Sequence, residues 1–149
     1  KSFYSSVRPK SSSKVSGDIF VSQRNDGVKV YVNLKGLKPN HSHGFHIHEN
    51  GDCSSKDGKS AGGHFTTKAH KHGHPDDENS HFGDLGNLKS DENGHVRTEL
   101  FIKNATLKQG KENSIFDRSF VIHAGPDDFT SQPSGNSGKR IGCSVINHN

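Results

Sequence analysis

The sequence predicts an all-β protein, an antiparallel sandwich or flattened barrel of about eight strands. Three observations predict it. Short apolar segments alternate with a period of two, and none follows the 3.6-residue period of a helix. Clusters of Gly, Asn, Asp, Ser and Pro separate those segments. Only 26% of the 149 residues are hydrophobic, with 17 Gly and neither Met nor Trp, whereas a helical bundle would need more Leu and Ala. The length fits one domain over 1–149, with 1–14 expected to be loosely attached.

The elements follow in order. Phe3, Tyr4 and Val7 mark a short first strand, and the Ser-rich stretch 11–14 a turn. A strand over 18–23 leads to Asn25-Asp26-Gly27, a hairpin signal. From Val28 to Lys35 the alternation is clear, with Val28, Val30, Val32 and Leu34 inward. After a turn at 36–40, the strand 41–48 places Phe45 and Ile47 on one face and His46 and His48 on the other. Residues 49–83 form a long loop with few apolar residues. A loop of that length in a compact domain is normally functional or disordered. A strand starts over 84–88. After a turn at 90–95, Val96, Thr98, Leu100 and Ile102 face inward. Residues 103–117 read as polar loop and 119–123 as strand. A second Gly-, Pro- and Ser-rich loop, 124–139, precedes a last strand over 140–146.

Eight of the twelve histidines lie between His43 and His81. Imidazole is the commonest metal ligand, and such density exceeds what packing explains. His46 and His48 point the same way from one strand, so two rings can converge on one ion. His64 follows within AGGHF, where small residues allow close backbone approach. His72, His81 and Asp84 come next. Three imidazoles and a carboxylate make a tetrahedral zinc set, and spacing alone does not choose among His70, His72 and His74.

The bulk properties bound the rest. A chain this polar, with a mean hydropathy of −0.91, needs staples such as a disulfide or metals to fold stably. Cys53 and Cys143 read either as reduced thiols or as a pair; an even count fits an oxidising compartment. Two sequons, at Asn40 and Asn104, fit secretion; the chain starts at Lys1 without Met, so any signal peptide is expected to have been removed or left out. No apolar run approaches the length of a membrane span. The net charge of +4 is mild, and its basic residues are scattered without interleaved aromatics. The expectation is no nucleic-acid partner and no membrane partner. A positive field suits a small anion.

Residues 44–54, GFHIHENGDCS, and 135–146, GNSGKRIGCSVI, resemble the two signature segments of copper/zinc superoxide dismutases. AGGHF, KHG, HFGDLGN and VIHAGPDD fall between them in that family's order, so the likeness spans roughly 15–147. The resemblance implies a Greek-key barrel with long metal-binding and electrostatic loops. It implies copper on His46, His48, His64 and His123, and zinc on His64, His72, His81 and Asp84, with His64 bridging. Asp127 matches the carboxylate behind His46 and His72, and Arg140 the arginine that guides the anion. Cys53 and Cys143 match the family's disulfide, and His43 and Gly44 positions beneath the copper site.

The implied activity is dismutation of superoxide, a small anionic substrate, to dioxygen and hydrogen peroxide, with His64 and Arg140 as catalytic residues. A homodimer and a secreted or otherwise exported location accompany the resemblance. The short spacing from His48 to Cys53 matches bacterial periplasmic members. The loop 127–140 is short, and Lys139 adds a charge beside Arg140. Two rival readings are weaker. A metal-delivery module has no need of Arg140, and a zinc hydrolase needs an open zinc that a His64, His72, His81 and Asp84 set would close.

Overall fold

A computed structural model describes residues 2–66, 83–132 and 135–147. It contains eight strands: β1 (Ser2–Pro9), β2 (Ser16–Arg24), β3 (Gly27–Lys35), β4 (Ser42–His48), β5 (Asp84–Lys89), β6 (Val96–Lys103), β7 (Ser119–His123) and β8 (Arg140–Val145). They form one antiparallel sheet in the order β5-β4-β7-β8-β1-β2-β3-β6, whose two ends curl toward each other into a nearly closed barrel. The chain crosses between the halves from β3 to β4, from β5 to β6 and from β6 to β7. Among the described residues, no helix is long and apolar enough to cross a membrane.

The half made of β1, β2, β3 and β6 follows the alternation. Val28, Val30, Val32 and Leu34 on β3 are buried, and Tyr31, Asn33 and Lys35 are exposed. The β2–β3 hairpin closes with Arg24 opposite Gly27, so Asn25-Asp26 is its two-residue loop. On β6, Val96 and Ile102 are buried but Thr98 is exposed. Thr98 keeps its register opposite Val32. It is uncovered because β6 is an end strand, hydrogen-bonded on one side only, so the barrel does not close over it.

The first strand departs from the loose attachment expected of 1–14. β1 pairs with β2 from Ser2 to Val7 and with β8 at Arg8 and Pro9, joining the two halves of the sheet. Segment 103–117, expected as polar loop, buries Ala105, Leu107 and Ile115 over one end of the barrel. The Gln23 side chain holds it there, its Oε1 accepting from Leu107 N at 2.7 Å and Thr106 Oγ1 at 3.1 Å.

The other half is buried on both faces. Every residue of β7, and β4 from His43 to His48, is buried. Inward, Phe45 stacks on Phe120 with centroids 5.3 Å apart. Outward, loop 49–66 covers β7 and β8: Cys53, Ala61, Val121 and Cys143 make a second small cluster. The Cys53–Cys143 disulfide pins that loop to β8.

Candidate metal centre

Four imidazoles meet on the outer face of the β4–β7 pair. His46 and His48 come from β4, with His46 opposite Val121 and His48 opposite Ser119. His123 ends β7, where an irregularity in the pairing with β8 turns it. His64 arrives on the loop, held against β4 by an isolated His48–His64 bridge. Phe65 N donates to Ile47 O at 2.8 Å, and Glu49 N to Gly63 O at 2.9 Å. Gly62 makes that return possible. Its φ of 78° is a left-handed value, and a Cβ there would lie 2.8 Å from Glu49 and Asn50 side-chain atoms, so only glycine fits.

The four rings are packed closely. Centroids lie 4.0 Å apart for His46–His64, 4.7 Å for His46–His123 and 4.9 Å for His48–His64. One ring nitrogen from each of the four falls within 4.8 Å of the others. Two nitrogens on one ion at about 2 Å each are at most roughly 4 Å apart. Closure onto an ion therefore needs movements below about 1 Å.

The hydrogen bonds decide which nitrogen is offered. A carbonyl or carboxylate oxygen only accepts, so the ring nitrogen facing it carries the proton. His48 Nδ1 donates to Gly62 O at 2.8 Å, and His123 Nδ1 to Gly138 O at 3.3 Å. His46 Nε2 donates to Asp127 Oδ2 at 2.8 Å, and His64 Nδ1 to Asp84 Oδ1 at 3.0 Å. In each neutral ring the opposite nitrogen then carries a lone pair. For His48 and His123 that nitrogen, Nε2, is buried and makes no hydrogen bond. Buried polar atoms left so are rare unless something else satisfies them. The donor set fits an imidazole-preferring ion such as copper or zinc.

Burial keeps His46, His48 and His123 neutral. Burial pushes His46 down to about 4, against the opposing pull of its Asp127 hydrogen bond. Burial, reinforced by the neighbouring imidazoles and by the Arg140 charge, holds His48 and His123 well below the usual range. Arg140 stands half-buried at the rim, its Nη1 donating to Gly58 O at 2.9 Å. His43 lies beneath, its Nδ1 donating to His123 O at 2.9 Å, and burial lowers its pKa too. A Cβ on Gly44 would sit 2.6 Å from Ser137 Oγ, so β4 and the 124–139 loop are in close contact.

His46, His48, His64, His123, Asp84, Asp127 and Arg140 are thus gathered in one region. His70, His72, His74 and His81 lie outside the described residues. Asn87 was not singled out from the sequence. It clamps Asp127, accepting from its backbone N at 2.7 Å and donating to its carbonyl at 3.1 Å. The available signal was an Asn inside strand β5, where that residue is disfavoured.

The β-barrel and its cage of four imidazoles together define a candidate metal-binding protein. The family model for copper/zinc superoxide dismutase (SODC) matches residues 15–146. The chain belongs to that family. It is 45% identical over 136 residues to superoxide dismutase [Cu-Zn] 2 of Aquifex aeolicus, covering 89% of this chain and 80% of that protein. It is 42% identical over 142 residues to superoxide dismutase [Cu-Zn] of Yarrowia lipolytica, covering 90% of each. A superoxide dismutase-like protein from Bacillus subtilis has a crystal structure similar at a TM-score of 0.87 and 33% identity, over 96% of this chain and 97% of that one. The family's enzyme class is superoxide dismutation, and its metals are copper and zinc.

Proposed function

We propose that the chain dismutes superoxide as one domain over 1–149, with His46, His48, His64 and His123 holding copper. His64, Asp84, His72 and His81 hold zinc. The observation that carries this reading is the set of four ring tautomers, each fixed by an oxygen so that its other nitrogen can face a shared ion. Copper, when bound, supplies the one-electron oxidation and reduction that turn two superoxide ions and two protons into dioxygen and hydrogen peroxide.

The protein's residues do the rest. His64 has one nitrogen toward Asp84 and the other toward the cluster. Two ligands on a tetrahedral ion with bonds near 2 Å stand about 3.3 Å apart. The 3.0 Å between His64 Nδ1 and Asp84 Oδ1 suits replacement of the shared proton by a cation. With a cation on Nδ1, Nε2 would either offer its lone pair to the copper or, when not bound to it, take a proton from solvent and pass it to the leaving product. Asp127 orients His46, and Asn87 orients Asp127. Arg140 stays protonated and offers several donors to a small monoanion. Its charge is felt at His48 and His123, which supports a place beside the metal.

The disulfide suits an exported, oxidising location, and a homodimer is consistent with the family. The test is suppression of superoxide-driven dye reduction by protein loaded with copper and zinc. Arg140→Ala is expected to keep both metals and lose most of the activity. Full activity in that variant would remove Arg140 from the mechanism, and metal-loaded wild-type protein without activity would refute the reading.

A further inference from the structure

Among the described residues, four large apolar side chains remain substantially exposed: Tyr4 (58%), Phe20 (44%), Tyr31 (46%) and Phe101 (45%). All four stand on one face, the outside of the β1, β2, β3 and β6 half. Tyr4 is opposite Phe20, and Phe20 is opposite Tyr31, so three rings form one row across three strands about 4.8 Å apart. Phe101, opposite Lys29, lies one row along.

Cations flank the aromatic row on both sides. Arg24 and Lys103 both sit opposite Gly27 at one end, with Lys29 next to them. Lys35 and Arg97 lie on the far side of the row. The carboxylates at outward positions are Asp18 and Glu99, and Glu99 pairs with Lys29 at 3.1 Å. These cations are scattered in sequence, but a period of two brings them to one face.

Cross-strand aromatic pairs do stabilise a sheet. That accounts for a pair of rings, but not for cations on both sides of the row. A second copy docked face to face would oppose two surfaces of the same sign, which is unfavourable. A linear polyanion is best held in a groove, whereas these rings stand on the convex outside of a barrel. A bilayer surface is broad and compliant, its anionic headgroups attract Lys and Arg, and aromatic rings settle at its interface.

We propose that the outer face of β1, β2, β3 and β6 is a peripheral docking surface for an anionic phospholipid bilayer. The Tyr4–Phe20–Tyr31 row and Phe101 enter the interfacial layer, and Arg24, Lys103, Lys35 and Arg97 meet the phosphates. The metal-ligating histidines lie on the outside of the other half, so a docked molecule keeps them toward solution. The proposal departs from the expectation of no membrane partner.

The chain has two tyrosines and no tryptophan, and both tyrosines are on this face, so tyrosine emission reports from it. The metal-loaded protein is mixed at low salt with vesicles of tail-brominated phosphatidylcholine and phosphatidylglycerol in equal parts. The expected result is co-sedimentation with quenched tyrosine emission, reversed by salt and absent with phosphatidylcholine alone. Arg24→Gln with Lys103→Gln should weaken partitioning about 25-fold, at about fivefold per charge. Phe20→Ser should weaken it several-fold while dismutase activity is unchanged. No co-sedimentation, or equal binding by Phe20→Ser, would overturn the proposal. So would stronger capture by a sulfated polysaccharide or an oligothymidylate, or a dimer in free solution that Phe20→Ser dissolves.

Discussion

The two halves of the barrel use the same strand pattern toward the interior and opposite patterns toward the outside. In β1, β2, β3 and β6 the outward residues meet solvent, so burial alternates along β3. In β4 and β7 they meet loops 49–66 and 124–139, so both faces are buried. The difference teaches where the site had to form. Among the described residues, His46, His48 and His123 occupy outward positions under a loop cover, where their rings are both desolvated and brought together. Burial lowers the pKa of His46, His48 and His123, and neighbouring oxygens choose the tautomers. The open half can carry charge and aromatic rings without touching that chemistry.

Several measurements break or sharpen this contrast. The largest expected effect is in the interior, which both halves share. Phe45→Ala removes a fully buried ring stacked on Phe120 and should destabilise the protein by about 3–5 kcal/mol in chemical denaturation. Reducing Cys53–Cys143 releases the loop cover from the β4–β7 half. It should lower stability by about 2–5 kcal/mol, and metal retention should fall with it. Unchanged metal retention after reduction would mean that the cover is held by packing alone.

The next effect concerns pH in metal-free protein. A histidine whose folded pKa lies below its unfolded value of about 6.5 contributes its full stability above that value. The contribution falls as the pH drops toward the folded value, about 4 for His46. The loss is roughly 3 kcal/mol from His46 alone. The melting temperature of the metal-free protein should therefore fall between about pH 6.5 and 4. A flat profile there would mean that the rings are solvated.

Asp127→Asn should keep the fold, since the amide oxygen can still accept from His46, but weaken metal binding about 10- to 100-fold. Competition with a chelator measures it. The smallest effect is on the open half, where Phe20→Ser should change stability by about 0.5 kcal/mol or less. A loss as large as that of Phe45→Ala would mean that the aromatic row supports the barrel.

Much of the fold was legible because β3 and β6 follow a simple alternation and Asn25-Asp26-Gly27 marks the hairpin. The error at Thr98 came from the same rule, since alternation gives the direction of a side chain and not whether a neighbour covers it. In β4 the HxH pattern revealed one shared face. That His64 would return beside it was not legible from spacing, because the return depends on backbone bonds at Ile47, Glu49 and Gly63. The acceptors for His48 and His123 are carbonyls of Gly62 and Gly138. A backbone carbonyl exists at every residue, so no pattern of side chains identifies it. The membrane-facing reading was hidden for a similar reason. Tyr4, Phe20 and Tyr31 lie far apart along the chain and become neighbours only through register.

The central claim is that the imidazoles at positions 46, 48, 64 and 123 point four lone pairs at one ion. Electron paramagnetic resonance of the Cu(II)-loaded protein tests it most directly. The account predicts one copper site per chain, with hyperfine splitting from imidazole nitrogens that changes when His123→Ala removes one of them. A spectrum with oxygen ligands in place of nitrogens, or one indifferent to His123→Ala, would contradict it.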